Sequence, residues 1–210
     1  MTLAPKVLIV GCGMTGSSIY HYLTRVFNMP VECLTIWEKA TVGGRMRSAS
    51  YLGSHCDLGA QYITQTNPKY DDIYSHLVSN NVFSKLAVDI DGMKDDARLK
   101  NHYISNQGLS AVINNLATNA NINTGISFES FRTLSSGQVE VSGLKSTSTD
   151  SCSSNAVSSS KSIVKDAFDL VVITSPTPSV TSLRSSIESI DRLGANEFFE
   201  KLSTVRYSSR

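Results

Sequence analysis

The sequence has no apolar run approaching the roughly twenty residues that a bilayer-spanning helix needs, so it encodes no such helix. An excess of either charge is also missing. Nineteen Lys and Arg stand against 18 Asp and Glu, for a net charge of +1 with neutral histidines, which removes the electrostatic case for nucleic acid or an acidic membrane as partner. Cysteine is sparse. Cys12, Cys33, Cys56 and Cys152 show no C-x-x-C spacing, and unpaired thiols in a reducing, cytoplasmic compartment are the simplest expectation. His21, His55, His76 and His102 are scattered, with no acid or nucleophile at a telling spacing. The run His55-Cys56-Asp57 lacks the spacing of a zinc site, and no metal is expected. No internal repeat occurs. With 210 residues, 40% of them hydrophobic, the chain can bury a core without staples.

What is present begins at Lys6. The apolar run Val7-Leu8-Ile9-Val10 passes directly into Gly11, Gly13 and Gly16, with Met14 and Thr15 opening a helix between the last two glycines. A second apolar run, Cys33-Leu34-Thr35-Ile36-Trp37, ends on Glu38 and Lys39. Strand, glycine turn, helix, strand and acid in that order form the pattern of a dinucleotide-binding α/β unit. Gly11 permits the sharp exit from the strand, Gly13 lets backbone approach a pyrophosphate, and Gly16 lets the helix lie close to a sheet. The helix start offers N–H groups and a positive dipole end to phosphate. Glu38 lies about twenty residues past the last glycine, where a carboxylate accepts hydrogen bonds from ribose hydroxyls. Because phosphate binding needs this turn, the apolar start is not read as a cleaved signal peptide.

Downstream of the acid, Val42-Gly43-Gly44-Arg45-Met46 places a second glycine pair beside an arginine. A planar guanidinium suits phosphate oxygens, and the chain turns here instead of running into the next helix as nicotinamide enzymes usually do. A nicotinamide enzyme is disfavoured by this turn. The plain alternative is an ordinary loop with a solvated arginine.

The motifs VLIVGCGMTGS, WEKATVGGRM, DLGAQYIT (57–64), ISNQGLSAVI (104–113), FDLVVITSPTPS (168–179) and VRYSSR (205–210) together resemble the renalase family within the amine-oxidase-like flavoproteins, over nearly the whole chain. The resemblance implies a Rossmann-like FAD-binding domain of the glutathione-reductase and amine-oxidase type, α/β in class, with an inserted, incomplete α+β substrate domain. It implies non-covalent FAD and oxidation of isomeric dihydro-NAD(P) to NAD(P)+, with O2 reduced to H2O2. It further implies that Gly11, Gly13, Gly16, Gly44 and Arg45 surround the pyrophosphate, that Glu38 meets the ribose, that Gln61 and Tyr62 approach the flavin ring, that Phe128 stands near the adenine, and that Thr174, with Ser175 and Pro176, closes a nucleotide-proximal strand. For Tyr62 and Phe128 core packing is an equal alternative. No catalytic base is assigned, since removing a hydride from a misreduced dihydropyridine restores an aromatic ring and leaves the protein mainly to position and shield.

The expected organisation is an FAD-binding domain of residues 1–64 and 104–178 and a partial substrate domain of residues 65–103 and 179–210. Tyr70, Ile73, Tyr74, Leu77 and Val78 predict a helix over 67–80 that starts at Asn67-Pro68. Residues 82–103 predict strands with a turn at Asp91-Gly92, and residues 108–120 a helix. Strands are predicted near 125–134, 138–141 and 170–174. The serine-rich stretch 145–165 predicts a mobile loop within a hairpin.

Renalases run beyond the position of Arg210, so a truncated form is expected, one that keeps the adenosine and pyrophosphate contacts. Oxidation of small aromatic amines, with secretion, and a non-catalytic nucleotide-binding fragment are the alternative readings. The expected partners are a small-molecule substrate and O2, and a monomer is expected.

Overall fold

The computed structural model describes residues 4–87, 100–147, 160–183 and 195–205. The chain forms two compact units, one within Met1–Gly11, Phe27–Ala40 and Ala120–Arg210, the other within Cys12–Val26 and Thr41–Asn119.

The first unit is built on a parallel sheet of β1 (Val7–Val10), β2 (Leu34–Glu38), β8 (Asn121–Thr124) and β12 (Leu170–Ile173), in the spatial order β12-β1-β2-β8. Strands buried on both faces read as unbroken apolar runs, and all of β1 is buried. Taken in chain order these four parallel strands lie 4-1-2-3, the Rossmann arrangement, whose order reverses between β1 and β12. In open sheets of this kind ligands bind outside the carboxyl ends of the strands at such a reversal. Gly11 and Thr174 directly follow those two ends.

An antiparallel meander belongs to the same unit: β9 (Ile126–Thr133), β10 (Val139–Thr147) and β11 (Ser160–Phe168). Its inner residues Ile126, Val141 and Phe168 join Leu8, Val10 and Trp37 in one core, with the Trp37 and Phe168 rings edge to face at 6.4 Å. A bulge between Ser142 and Gly143 brings the backbone against Trp37; a Cβ on Gly143 would stand 2.7 Å from Ile126 Cγ2 and 3.1 Å from Trp37 Cζ3.

The stretch 145–165, expected as a loop, is strand at both of its ends. Lys145 pairs with Ser162 and Ser142 with Lys165, so both flanks belong to the hairpin, and residues 148–159 lie outside the described residues. The reason is physical: Val164, partly buried, packs on the core, and the ladder's hydrogen bonds hold polar neighbours that have no intrinsic need to be ordered. The predicted turn at Asp91-Gly92 also lies outside the described residues.

The second unit starts with α1 (Met14–Arg25), on which Gly16, Ser17, Tyr20 and His21 are buried, a spacing that makes one face. A hairpin follows, β3 (Ser48–Tyr51) and β4 (Ser54–Asp57), turned by Leu52 and Gly53, both at positive φ as a two-residue turn of this hand requires. The helix expected from Asn67 is present. The Asn67 side chain accepts a hydrogen bond from Lys69 N, a 3-10 turn covers Pro68–Tyr70, and α2 covers Asp71–Ser79 with Ile73 and Leu77 buried. Tyr74, Phe83 and Tyr103 stack with centroids 5.1 to 6.0 Å apart, which makes the aromatic face of α2 part of a core. A small sheet of β5 (Ile63–Thr64), β7 (His102–Ile104) and β6 (Ser84–Lys85), then α3 (Ser110–Leu116), complete this unit. Among the described residues no helix is long and apolar enough to cross a membrane.

Candidate functional site

In the first unit the site residues gather at the sheet reversal. Gly11 leaves β1 at φ 104°, and its N–H donates to the Trp37 carbonyl at 2.8 Å. The Thr174 hydroxyl donates to the carbonyl of Val10 at 2.9 Å and lies 3.3 Å from that of Gly11. A side chain on Gly11 would collide with it, because the Cβ position is 2.7 Å from Thr174 Oγ1. Glu38 ends β2, and its Oε1 accepts from Ala40 N at 2.9 Å, which holds the carboxylate at the turn that follows. Lys39 is exposed beside it. Phe128, on β9, stacks on Phe131 at 6.3 Å and is partly buried against the meander core, so packing accounts for its surroundings.

In the second unit the two glycine turns meet. Gly43 N donates to the carbonyl of Cys12 at 2.9 Å. Gly44, at φ 54°, presses so near that a Cβ there would stand 3.3 Å from Gly13 Cα. Gly13 is the N-cap of α1 and brings no side-chain cap to the first turn of Met14, Thr15 and Gly16. On its own Cβ side Gly13 has only ordinary contacts, 3.8 Å to Gly44 Cα and 4.0 Å to the Gly43 carbonyl. The packing of this chain alone therefore does not demand glycine at position 13. Open space of this kind on the Cβ side is what a pyrophosphate cradle would need. Arg45, exposed, follows at once.

The DLGAQYIT segment is zipped to this loop by backbone, a link that sequence spacing does not reveal. Leu58 N donates to Arg47 O at 2.9 Å and Ala60 N to Arg45 O at 3.0 Å, while a Cβ on Gly59 would lie 2.0 Å from Arg45 O. Only glycine fits there. Gln61 and Tyr62 then follow with exposed side chains, and the Tyr62 ring meets His102 edge-on at 5.6 Å. Asp57, at the head of the segment, ties it to α3: Oδ1 accepts from Ser48 Oγ at 2.6 Å and from Leu109 N at 2.8 Å, and Ser48 Oγ accepts from Ser110 N at 3.0 Å. Among the described residues no cluster of three or more His, Cys, Asp or Glu is placed to hold a metal ion.

Residues 9–77 match the NAD(P)-binding Rossmann-like domain family. Together with the sheet order, this shows a Rossmann-like domain in the chain. More particularly, the chain is similar to renalase. It is 32% identical to renalase of Mus musculus over 214 residues, which cover 98% of this chain and 56% of that protein. It thus spans about half the length of that relative. A shorter likeness, 38% over 55 residues and 26% of this chain, is to the prenylcysteine oxidase 1-like protein of Homo sapiens, of which it covers 11%. In three dimensions the CLA-producing fatty acid isomerase from P. acnes shares the fold, with a TM-score of 0.62 at 14% identity over 96% of this chain and 64% of that one.

Proposed function

We propose that this chain is the FAD-holding part of a renalase-type oxidase that converts isomeric dihydro-NAD(P) to NAD(P)+. FAD is its cofactor. The observation that carries the reading is the glycine cradle in which Gly44 abuts Gly13 while the start of α1 keeps its amides uncapped by any side chain.

The pyrophosphate is assigned to Gly13, Met14, Thr15, Gly16, Gly44 and Arg45, and the ribose hydroxyls to Glu38, on motif spacing and on the donor chemistry of each group. Gly11 and Thr174 shape the backbone where the sheet order reverses. Gln61 and Tyr62 are assigned to the flavin-facing side, Lys39 to the phosphate end and Phe128 to the adenine end. The division into an FAD-binding part, 1–64 and 104–178, and a substrate part, 65–103 and 179–210, is kept as part of the proposal.

When bound, FAD supplies the two-electron acceptor for hydride leaving the dihydropyridine, and O2 takes the electrons to become H2O2. The protein's share is positioning and water exclusion, in accord with the absence of a histidine–acid constellation in the sequence.

The test is the visible spectrum of the purified chain with added FAD, followed by desalting. Flavin bands that stay with the protein support the cofactor assignment, and peroxide formed from isomeric dihydro-NAD(P), but not from aromatic amines, supports the substrate. A chain that never retains flavin overturns the reading.

A further inference from the structure

Far from the glycine cradle, α1 ends beside a cavity. The helix has 12 residues, which puts its C-terminal end roughly 18 Å from its start. The cavity there, within the second unit, is about 220 Å³ and is lined by His21 and Arg25 of α1, His76 of α2 with Asn80 just beyond it, and Asn115 of α3 with Thr118 after it. At roughly 30 Å³ per water, that is space for about seven waters.

The lining is polar and biased in charge. His21 is buried at 9% exposure, and its ring lies 4.7 Å from that of His76, centroid to centroid. The His76 ring is held by Asn115 Oδ1 and by the Asn80 amide, each 3.1 Å from Nε2. The titratable and charged neighbours of His21 are Tyr20, Tyr22 and Arg25 on α1 and Asp72 and His76 on α2; α3 carries none, its residues being Ser-Ala-Val-Ile-Asn-Asn-Leu. The carboxylate of Asp72 is already engaged, with both oxygens 3.0 Å from Tyr22 Oη. Burial pushes the His21 imidazole below its ordinary value, His76 and then Arg25 push it further the same way, and Asp72 opposes them. His21, His76 and Arg25 thus line one concave polar site together with the side-chain amides of Asn80 and Asn115.

We propose that this cavity binds a small tetrahedral oxyanion of the sulfate and phosphate class, gripped by Arg25, His21 and His76 with the amide of Asn80. A guanidinium and imidazole on α1, an imidazole on α2 and a side-chain amide just beyond α2 bring N–H groups to one cavity, and N–H donors suit oxyanion oxygens. Occupancy would favour protonated His21, so binding takes up a proton and tightens as pH falls. The site is separate from the cofactor cradle at the other end of α1 and gives the renalase-like chain a place where anion concentration and pH are read together.

Sulfate keeps one charge state across the histidine range, so it is the probe. Calorimetric titration of the 210-residue chain, at fixed ionic strength, should show sulfate binding about tenfold tighter near pH 6 than near pH 7.5. Phosphate near pH 6 should compete with it. Arg25→Gln should weaken sulfate at both pH values, and His21→Gln should flatten the pH dependence. Arg25 is exposed, so its variant carries the test should His21→Gln fail to fold. Sulfate affinity that is equal at both pH values, or unchanged in Arg25→Gln, overturns the proposal.

Discussion

The hydroxyl of Thr174 occupies the place where a side chain on Gly11 would begin: it donates to Val10 O at 2.9 Å and lies 2.7 Å from the Cβ position of Gly11. One hydrogen bond thus closes the two strand ends at the point where the sheet order reverses, and it closes them against anything larger than glycine.

Gly11→Ala is therefore expected to lower stability in urea by about 1–3 kcal/mol, from positive φ and collision together. Thr174→Ala should cost about 1 kcal/mol through the lost hydrogen bond. The steric share vanishes once the hydroxyl is gone, so the double variant should fall short of the sum by about 0.5 kcal/mol or more. Strictly additive losses would contradict this arrangement.

Gly13→Ala separates ligand from fold. Its φ of −100° suits alanine and its Cβ would make ordinary contacts, so the apo chain should unfold within about 0.5 kcal/mol of the wild type. FAD affinity, followed by flavin fluorescence, should nonetheless fall at least about tenfold, equivalent to 1.4 kcal/mol. Unchanged affinity would remove Gly13 from the cofactor site.

Asp57 works as a cap supplied from another element. Asp57→Ala leaves the N–H of buried Leu109 without its carboxylate acceptor and should cost about 1–3 kcal/mol in a urea melt. Asp57→Asn retains an oxygen for that amide and should lose less. Equal losses in the two variants would mean that charge, not hydrogen bonding, matters there.

Acid should weaken the fold through His21. Burial first, then His76 and Arg25, hold its folded-state value below the ordinary one, so the unfolded chain binds the proton more readily. The stability at stake is present above the unfolded value of about 6.5 and is lost as pH falls toward the depressed folded value. His21→Gln should make urea midpoints less sensitive to pH over that window in sulfate-free buffer. An equally steep variant would exclude His21 as the source.

Much of the fold is legible along the chain because its signals are local. The run Val7 to Val10, the glycines after it and Glu38 at the end of the next strand lie within a short span, and Asn67-Pro68 marks the start of its helix by chemistry confined to one turn. The strands flanking residues 148–159 were hidden because polar side chains dominate there, while the ordering comes from ladder bonds and from Val164 on a core assembled elsewhere.

The sequence by itself determined the dinucleotide-binding character, since glycine placement and apolar runs set which backbone conformations and burials are available. Only the tertiary structure decided why Gly59 must be glycine, what Asp57 is for, and that His21 and His76, 55 positions apart in the sequence, bring their rings within 4.7 Å at one cavity. Each of these depends on atoms brought within a few ångströms by packing of distant elements. No local propensity encodes such a distance.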